Sequence, residues 1–331
     1  MLEQILITAR DNPLIDPGLQ IWGWQISVYL FLGGLTAGVL FFPALMLLLK
    51  KDAQAPFAVN RLSLLAPVAL SVGMTALFFD LEFKFHVYRF YLAFRPTSPM
   101  SYGAWILILV YPASVLQILS TLRRGYPALA AWVDGRTVGR SLLDRCERWR
   151  RPIAWCVIPL AVGLGIYTGV LLSAFSARPF WNSGLLGPLF LVSGLSTGAA
   201  LTILLSPHHP EKRLFTLIDA GLIVTELAIV ALLLVNLATG ARPQIDALQH
   251  LFGGNYTLAF WGVFVSAGLL LPLLLEGIEV RGGARRLALI APLLVLLGGY
   301  ALRVIAVDLG QETRWIHYGS EFNTQWLDRV R

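Results

Sequence analysis

Cysteine is nearly missing from this protein: Cys146 and Cys156 are the only two among 331 residues. An iron–sulfur cluster needs a set of cysteines and a c-type haem needs a CxxCH motif, so the protein can hold neither by itself. Histidine is almost as scarce. His86, His208, His209, His250 and His317 all fall in expected loops or the C-terminal tail, whereas a b-type haem between helices needs imidazoles projecting from apolar segments. His208 and His209, in Pro-His-His-Pro, read as a surface turn rather than a metal site. Charge is the third shortage. Only 14% of residues are charged while 56% are hydrophobic, and soluble domains carry about a quarter charged residues. Lipid is therefore the expected solvent for most of the sequence.

What the sequence does contain is a succession of long apolar runs. About 20 such residues cross a hydrocarbon core, and eight runs qualify, at 22–49, 61–79, 101–122, 153–174, 185–205, 214–239, 257–276 and 286–307. Pro67, Pro112, Pro159, Pro272 and Pro292 lie inside them, which a membrane bundle tolerates because neighbouring helices re-satisfy the freed carbonyls. Sixteen of the 26 lysines and arginines fall between spans 1 and 2, 3 and 4, 5 and 6, or 7 and 8, against nine on the other side and Arg303 within span 8. The positive-inside rule then predicts eight crossings with both termini outside the cytoplasm. Setting this topology uses up most of the net charge of +7, so nucleic acid is not an expected partner. Within an inner-surface segment at 125–151, residues 137–151 set Val138, Leu142, Leu143 and Trp149 among arginines. Such a pattern suits an amphipathic helix resting on anionic membrane lipids. No basic stretch followed by a cleavage site opens the sequence, so span 1 is expected to direct insertion.

One element occurs twice. Gly34-Leu35-Thr36-Ala37-Gly38 is echoed 160 positions later by Gly194-Leu195-Ser196-Thr197-Gly198. A Gly-xxx-Gly pair lets two helix backbones approach closely in lipid. The echo predicts an all-α membrane protein of two parallel four-helix bundles related by internal duplication, at 1–180 and 181–310, with an outer C-terminal tail at 311–331.

Polar residues gather at the expected outer ends of the spans. Gln25 and Tyr29 are four apart and share a face of span 1, and span 2 exits at Asp80, Glu82, Lys84 and His86. Tyr167 approaches the same surface on span 4, Arg178 follows it, and span 8 ends with Tyr300, Arg303 and Asp308. Trp22, Trp24 and Trp181 fit an interfacial aromatic belt. Deeper, span 6 carries Asp219 and Glu226, seven apart on one face. Intramembrane carboxyls are costly, and they face a partner, a cavity or a proton path. Glu226 reads either as a carboxyl kept neutral or paired with Arg303, or as part of a proton relay.

These residues together resemble the NrfD/PsrC family, the membrane subunits of polysulfide reductase and related respiratory complexes. The resemblance is carried by Trp22 through Gly38, Asp80-Leu81, Arg95 through Trp105, Tyr167 through Leu172, Arg178 through Asn182, and Gly298 through Arg303 followed by Gly310-Gln311. It implies a haem-free subunit that binds quinone, either menaquinone or ubiquinone, in the first bundle. It implies a ferredoxin-like iron–sulfur partner and, through it, a molybdopterin or multihaem catalytic subunit on the outer face of a bacterial or archaeal cytoplasmic membrane. By position, Tyr29 stands where a relative has a quinone-contacting histidine, Asp80 or Glu82 is the acidic partner, and Tyr167 is a second hydroxyl donor. Gln25, His86 and Arg178 complete the expected quinone contacts, while Asp219, Glu226 and Arg303 are expected to form a proton path. Two features depart from the family pattern. Leu81-Glu82-Phe83-Lys84-Phe85-His86 replaces a Gly-Arg-Pro turn, and the tail, with Trp315, His317, Tyr318, Phe322 and Trp326, is longer than a simple exit needs and reads either as a docking strap for the partner subunit or as a plain interfacial anchor. A second class also stays open: an ion-coupled secondary transporter using Asp219 and Glu226.

Overall fold

The computed structural model describes residues 22–280 and 289–313, and every regular element among them is a helix. Eight helices are long and apolar enough to cross a membrane. They are span 1 Trp24–Leu48, span 2 Leu62–Asp80, span 3 Pro99–Gly125, span 4 Arg150–Ser173, span 5 Leu186–Leu205, span 6 His209–Ala238, span 7 Leu258–Val280 and span 8 Ile290–Glu312. Residues 1–21, the loop arginines Arg281, Arg285 and Arg286, and the tail from 314 with His317 lie outside the described residues.

Helix ends differ from expectation for local reasons. Span 6 opens at His209 rather than near 214, because Pro210 sits in the first turn, where its missing N–H costs nothing. His209 is thus helical rather than part of a loop, and His250 lies in a short helix, Arg242–Phe252. Span 8 continues to Glu312, so Asp308 is inside the helix instead of at its exit. Pro43 is a further proline within a span. The surface helix expected at 137–151 is Thr137–Arg148, a second short helix, Pro127–Asp134, precedes it, and span 4 begins directly afterwards at Arg150. Arg123 holds this platform to the end of span 3 through Asp134 at 2.7 Å, Asp144 at 2.7 Å and Glu147 at 3.2 Å. Trp132, Val138, Leu142 and Trp149 remain exposed on it.

Packing follows a regular scheme. Span 1 packs on spans 2 and 4, and span 3 on span 4; span 5 packs on spans 6 and 8, and span 7 on span 8. Between these two groups, span 1 meets spans 5 and 8, and span 4 meets span 5. The two repeated glycine elements face each other at this seam. A β-carbon on Gly38 would lie 2.6 Å from the Gly194 carbonyl oxygen and 2.9 Å from Cα of Gly198. Only hydrogen fits there, so the two copies of the repeated element pack against each other where the two groups of spans meet.

The face bearing most of the arginines has its own clasp. Glu211, at the start of span 6, is fully buried, and its carboxyl accepts from the backbone N–H of Ala58 at 2.7 Å, of Phe57 at 3.2 Å and from Ser206 Oγ at 2.8 Å. It caps the short helix Pro56–Asn60 between spans 1 and 2, joining the two groups of spans. Glu211→Ala strands these donors in a dry site. The expected loss is about 3 kcal/mol, read as a lower melting temperature of the solubilised protein; an unchanged melt would contradict the clasp.

Candidate functional site

At the arginine-poor face, spans 1 to 4 enclose a cavity of about 560 Å³. Its walls are aliphatic and aromatic, and among the described residues that line it Asp80 is the one carboxyl and Tyr29, Tyr91, Tyr111 and Tyr167 are the phenols. Small residues bring the walls together. A β-carbon on Gly103 of span 3 would collide with the Tyr167 ring, and one on Gly73 of span 2 would lie 3.2 Å from Leu32 Cβ and 3.7 Å from Tyr29 Cα. Tyr29 and Tyr167 are 3% and 8% exposed, and their phenols are close neighbours. Tyr91, from the short helix Tyr88–Leu92, faces both. Partial burial pushes its phenol above the ordinary value, so it stays a hydrogen-bond donor at neutral pH. Tyr111 reaches Ser71 Oγ at 3.2 Å. An apolar space of this size with a few convergent polar groups suits a flat, largely apolar ligand.

Glu82 and His86 lie beyond that cavity's wall. They line an adjoining depression of about 510 Å³ with Arg89 and Arg95, separated by Leu81, Phe90 and Met100, which border both. Gln25 and Arg178 line neither. Arg178 instead donates from Nη1 to the carbonyls of Gln311 at 2.9 Å and Thr313 at 3.1 Å, tying the loop after span 4 to the end of span 8. The Gln311 side chain in turn bonds both backbone groups of Trp22, at 2.8 and 2.9 Å. Trp22 forms part of the cavity wall. Arg178 therefore acts on the cavity through span 8 and the entry of span 1. Arg178→Ala is expected to lower the melting temperature more than it alters ligand affinity; the reverse pattern, in paired melts and titrations, would contradict this positioning role.

A second polar group lies buried among spans 5 to 8. Ser196 Oγ donates to Asp219 Oδ1 at 2.6 Å. Arg303 donates from Nη1 to Ser193 Oγ at 2.5 Å and to Gly299 O at 3.0 Å, and from Nη2 to Phe190 O at 3.0 Å. Glu226 is within electrostatic reach of Arg303 and Ser193, with no direct ion pair among the described residues. Ser193 and Ser196, one turn apart on span 5, thus link the three residues. Arg303 also lies at the seam: a β-carbon on Gly34 of span 1 would stand 3.0 Å from its Nη2.

Residues 14–313 match the family described as polysulphide reductase, NrfD. This chain belongs to the NrfD family. Membership together with the eight apolar helices makes it a multi-pass integral membrane protein. It is 29% identical over 304 residues to the protein NrfD of Escherichia coli, an alignment that spans 88% of this chain and 96% of that one. It is 28% identical to a chain of the polysulfide reductase of Wolinella succinogenes, with 88% and 94% of the two sequences aligned. To a subunit of the selenate reductase of Mesobacillus selenatarsenatis it is 26% identical, over 86% and 73% of the respective lengths.

In this NrfD-family protein, Tyr29, Asp80 and Tyr167 share one cavity, and Asp219, Glu226 and Arg303 share another buried region. Sequence reasoning missed Tyr91, Tyr111, Ser71 and Glu276. Tyr111 had a usable signal, a phenol in the middle of span 3 beside Pro112. Glu276 fell at the expected boundary of span 7, and the helix runs one turn further, to Val280.

Proposed function

We propose that this protein is the quinone-binding membrane subunit of an oxidoreductase complex, exchanging electrons between the quinone pool and an iron–sulfur partner at the arginine-poor face. The observation that carries the reading is the cavity in which Asp80 and a cluster of phenols meet inside apolar walls. Two of the relatives are by name parts of a polysulfide reductase and of a selenate reductase, which supports a place in a larger enzyme.

A bound quinol supplies two electrons and two protons. Asp80, at the mouth of span 2, is placed to take a proton from a hydroxyl at the cavity's polar end. Tyr29, Tyr91 and Tyr167 donate hydrogen bonds to carbonyl oxygens and fix the ring. Trp22, Phe78, Phe90 and Leu172 exclude water from the rest. Electrons leave to a cluster in another protein, since two cysteines cannot hold one here. The buried group of Asp219, Glu226 and Arg303 carries protons between the faces. The arginine-rich face lies in the cytoplasm and both termini lie outside. The packing pairs of spans 1 to 4 recur when shifted by four spans, which supports two bundles derived by duplication.

Solvent extraction of the gently solubilised complex tests this reading. It predicts stoichiometric quinone and a co-purifying iron–sulfur protein; a protein that purifies without quinone and takes up a solute in liposomes would count for the transporter class instead.

A further inference from the structure

Two buried acids in this molecule are treated in opposite ways. Glu211 has both carboxyl oxygens occupied by three donors, as expected of a structural carboxyl. Glu276, near the arginine-rich end of span 7, is 1% exposed, yet no hydroxyl, backbone N–H, lysine or arginine among the described residues donates to either of its oxygens. Asp219 of span 6, 0% exposed, lies beside it within hydrogen-bonding reach, and Asp219 Oδ2 receives no other donor among the described residues. Its other oxygen accepts from Ser196. No lysine or arginine among the described residues forms an ion pair with either acid. The charged neighbours are Glu279, one turn further along span 7 and within electrostatic reach of Lys212, and Glu226, within electrostatic reach of Asp219.

Two adjacent carboxylates without a counter-cation cannot both stay ionised in a dry, apolar setting, and such pairs hold a proton between them. Buried carboxyl oxygens with only a second carboxyl to bond call for a functional explanation. A carboxyl whose role were only packing would be satisfied, as Glu211 is.

We propose that Glu276 and Asp219 form a proton-storage site that holds one exchangeable proton and loads from the arginine-rich face past Glu279 and Lys212. The site rests on the reading that spans 5 to 8 conduct protons, and it adds Glu276 as the loading group. In the transfer step the O–H bond of the Glu276 carboxyl breaks and one forms at Asp219 Oδ2, leaving a Glu276 carboxylate. Asp219 passes that proton on before hydronium at the arginine-rich face returns one to Glu276 and becomes water, so the pair again holds a single proton. Ser196 and Ser193 lead onward to Glu226.

The intact complex, in lipid nanodiscs, gives two independent readouts. Treatment of the wild type with dicyclohexylcarbodiimide, which attacks protonated carboxyls in apolar surroundings, is expected to leave an adduct on Glu276 that raised pH suppresses. Infrared difference spectra should contain a protonated carboxyl C=O band that shifts in D2O and disappears in Glu276→Gln. An adduct on Glu279 alone, no adduct in spans 6 and 7, or a band that survives in both Glu276→Gln and Asp219→Asn overturns the site. Suppression of the adduct by sodium at fixed pH also overturns it, in favour of a sodium site. The number of protons moved per electron separates the two readings. Adduct and band without proton movement leave the storage site standing and remove the conduction route; proton movement without adduct or band does the opposite.

Discussion

Asp80→Asn is expected to lower quinol-linked electron transfer about a hundredfold or more, the usual loss when a positioned proton acceptor is removed. Asp80 is the sole carboxyl lining the cavity among the described residues. Asparagine keeps its size and can still hydrogen-bond, but it cannot take a proton. The effect should fall on kcat, because the acceptor acts as the hydroxyl ionises rather than in binding. Tyr167→Phe supplies the contrast. It removes one hydrogen bond of about 1 kcal/mol and should raise KM for quinol by up to about tenfold with little change in kcat. Steady-state turnover of the reconstituted complex with a soluble quinol checks both. Equal kcat in Asp80→Asn and the wild type would remove Asp80 from the chemistry.

Gly38→Leu should prevent the two groups of spans from assembling. The atoms nearest the new β-carbon are all backbone: Gly194 O at 2.6 Å, Gly198 Cα at 2.9 Å and Gly198 N at 3.2 Å. No side chain can swing aside, so spans 1 and 5 must separate. Overpacking costs about 1–3 kcal/mol where neighbours can yield, and here they cannot. Close backbone packing is also a main source of helix association in lipid, so the loss extends along the seam to Gly34, Gly194 and Arg303. Gly221→Ala on span 6 is the control, since a β-carbon there meets nothing within 4 Å. Melting of the solubilised protein, followed by size-exclusion chromatography, should show Gly38→Leu aggregated and Gly221→Ala unchanged. Identical profiles would contradict the seam.

The spans were legible because lipid imposes one rule on each segment separately: an apolar run of sufficient length with charges outside it. Asp80, Tyr29 and Tyr167 could be picked out from the ends of spans whose direction the arginines assign. The partner of a small-residue pair is not written locally. Gly38 could have packed against any span, and only the assembled helices place Gly194 and Gly198 opposite it. The same holds for Arg178, whose partners Gln311 and Thr313 lie far along the sequence. Tyr91 was hidden for another reason. It comes from a five-residue helix, Tyr88–Leu92, in the aromatic-rich connection between spans 2 and 3, too short for period 3.6 or hydropathy to assign a direction to a side chain. Glu276 was lost to a boundary error, since one additional helical turn changes it from a surface carboxyl into a buried one.

The central claim is that quinone binds among spans 1 to 4 and not in the second group of spans. Photolabelling the intact complex with an azidoquinone, followed by mass spectrometry, tests it most directly. Adducts are predicted on peptides carrying Tyr29, Asp80, Tyr91, Tyr111 or Tyr167, and excess unlabelled quinone should suppress them. Adducts confined to spans 5 to 8, or labelling that excess quinone leaves unchanged, would contradict the account.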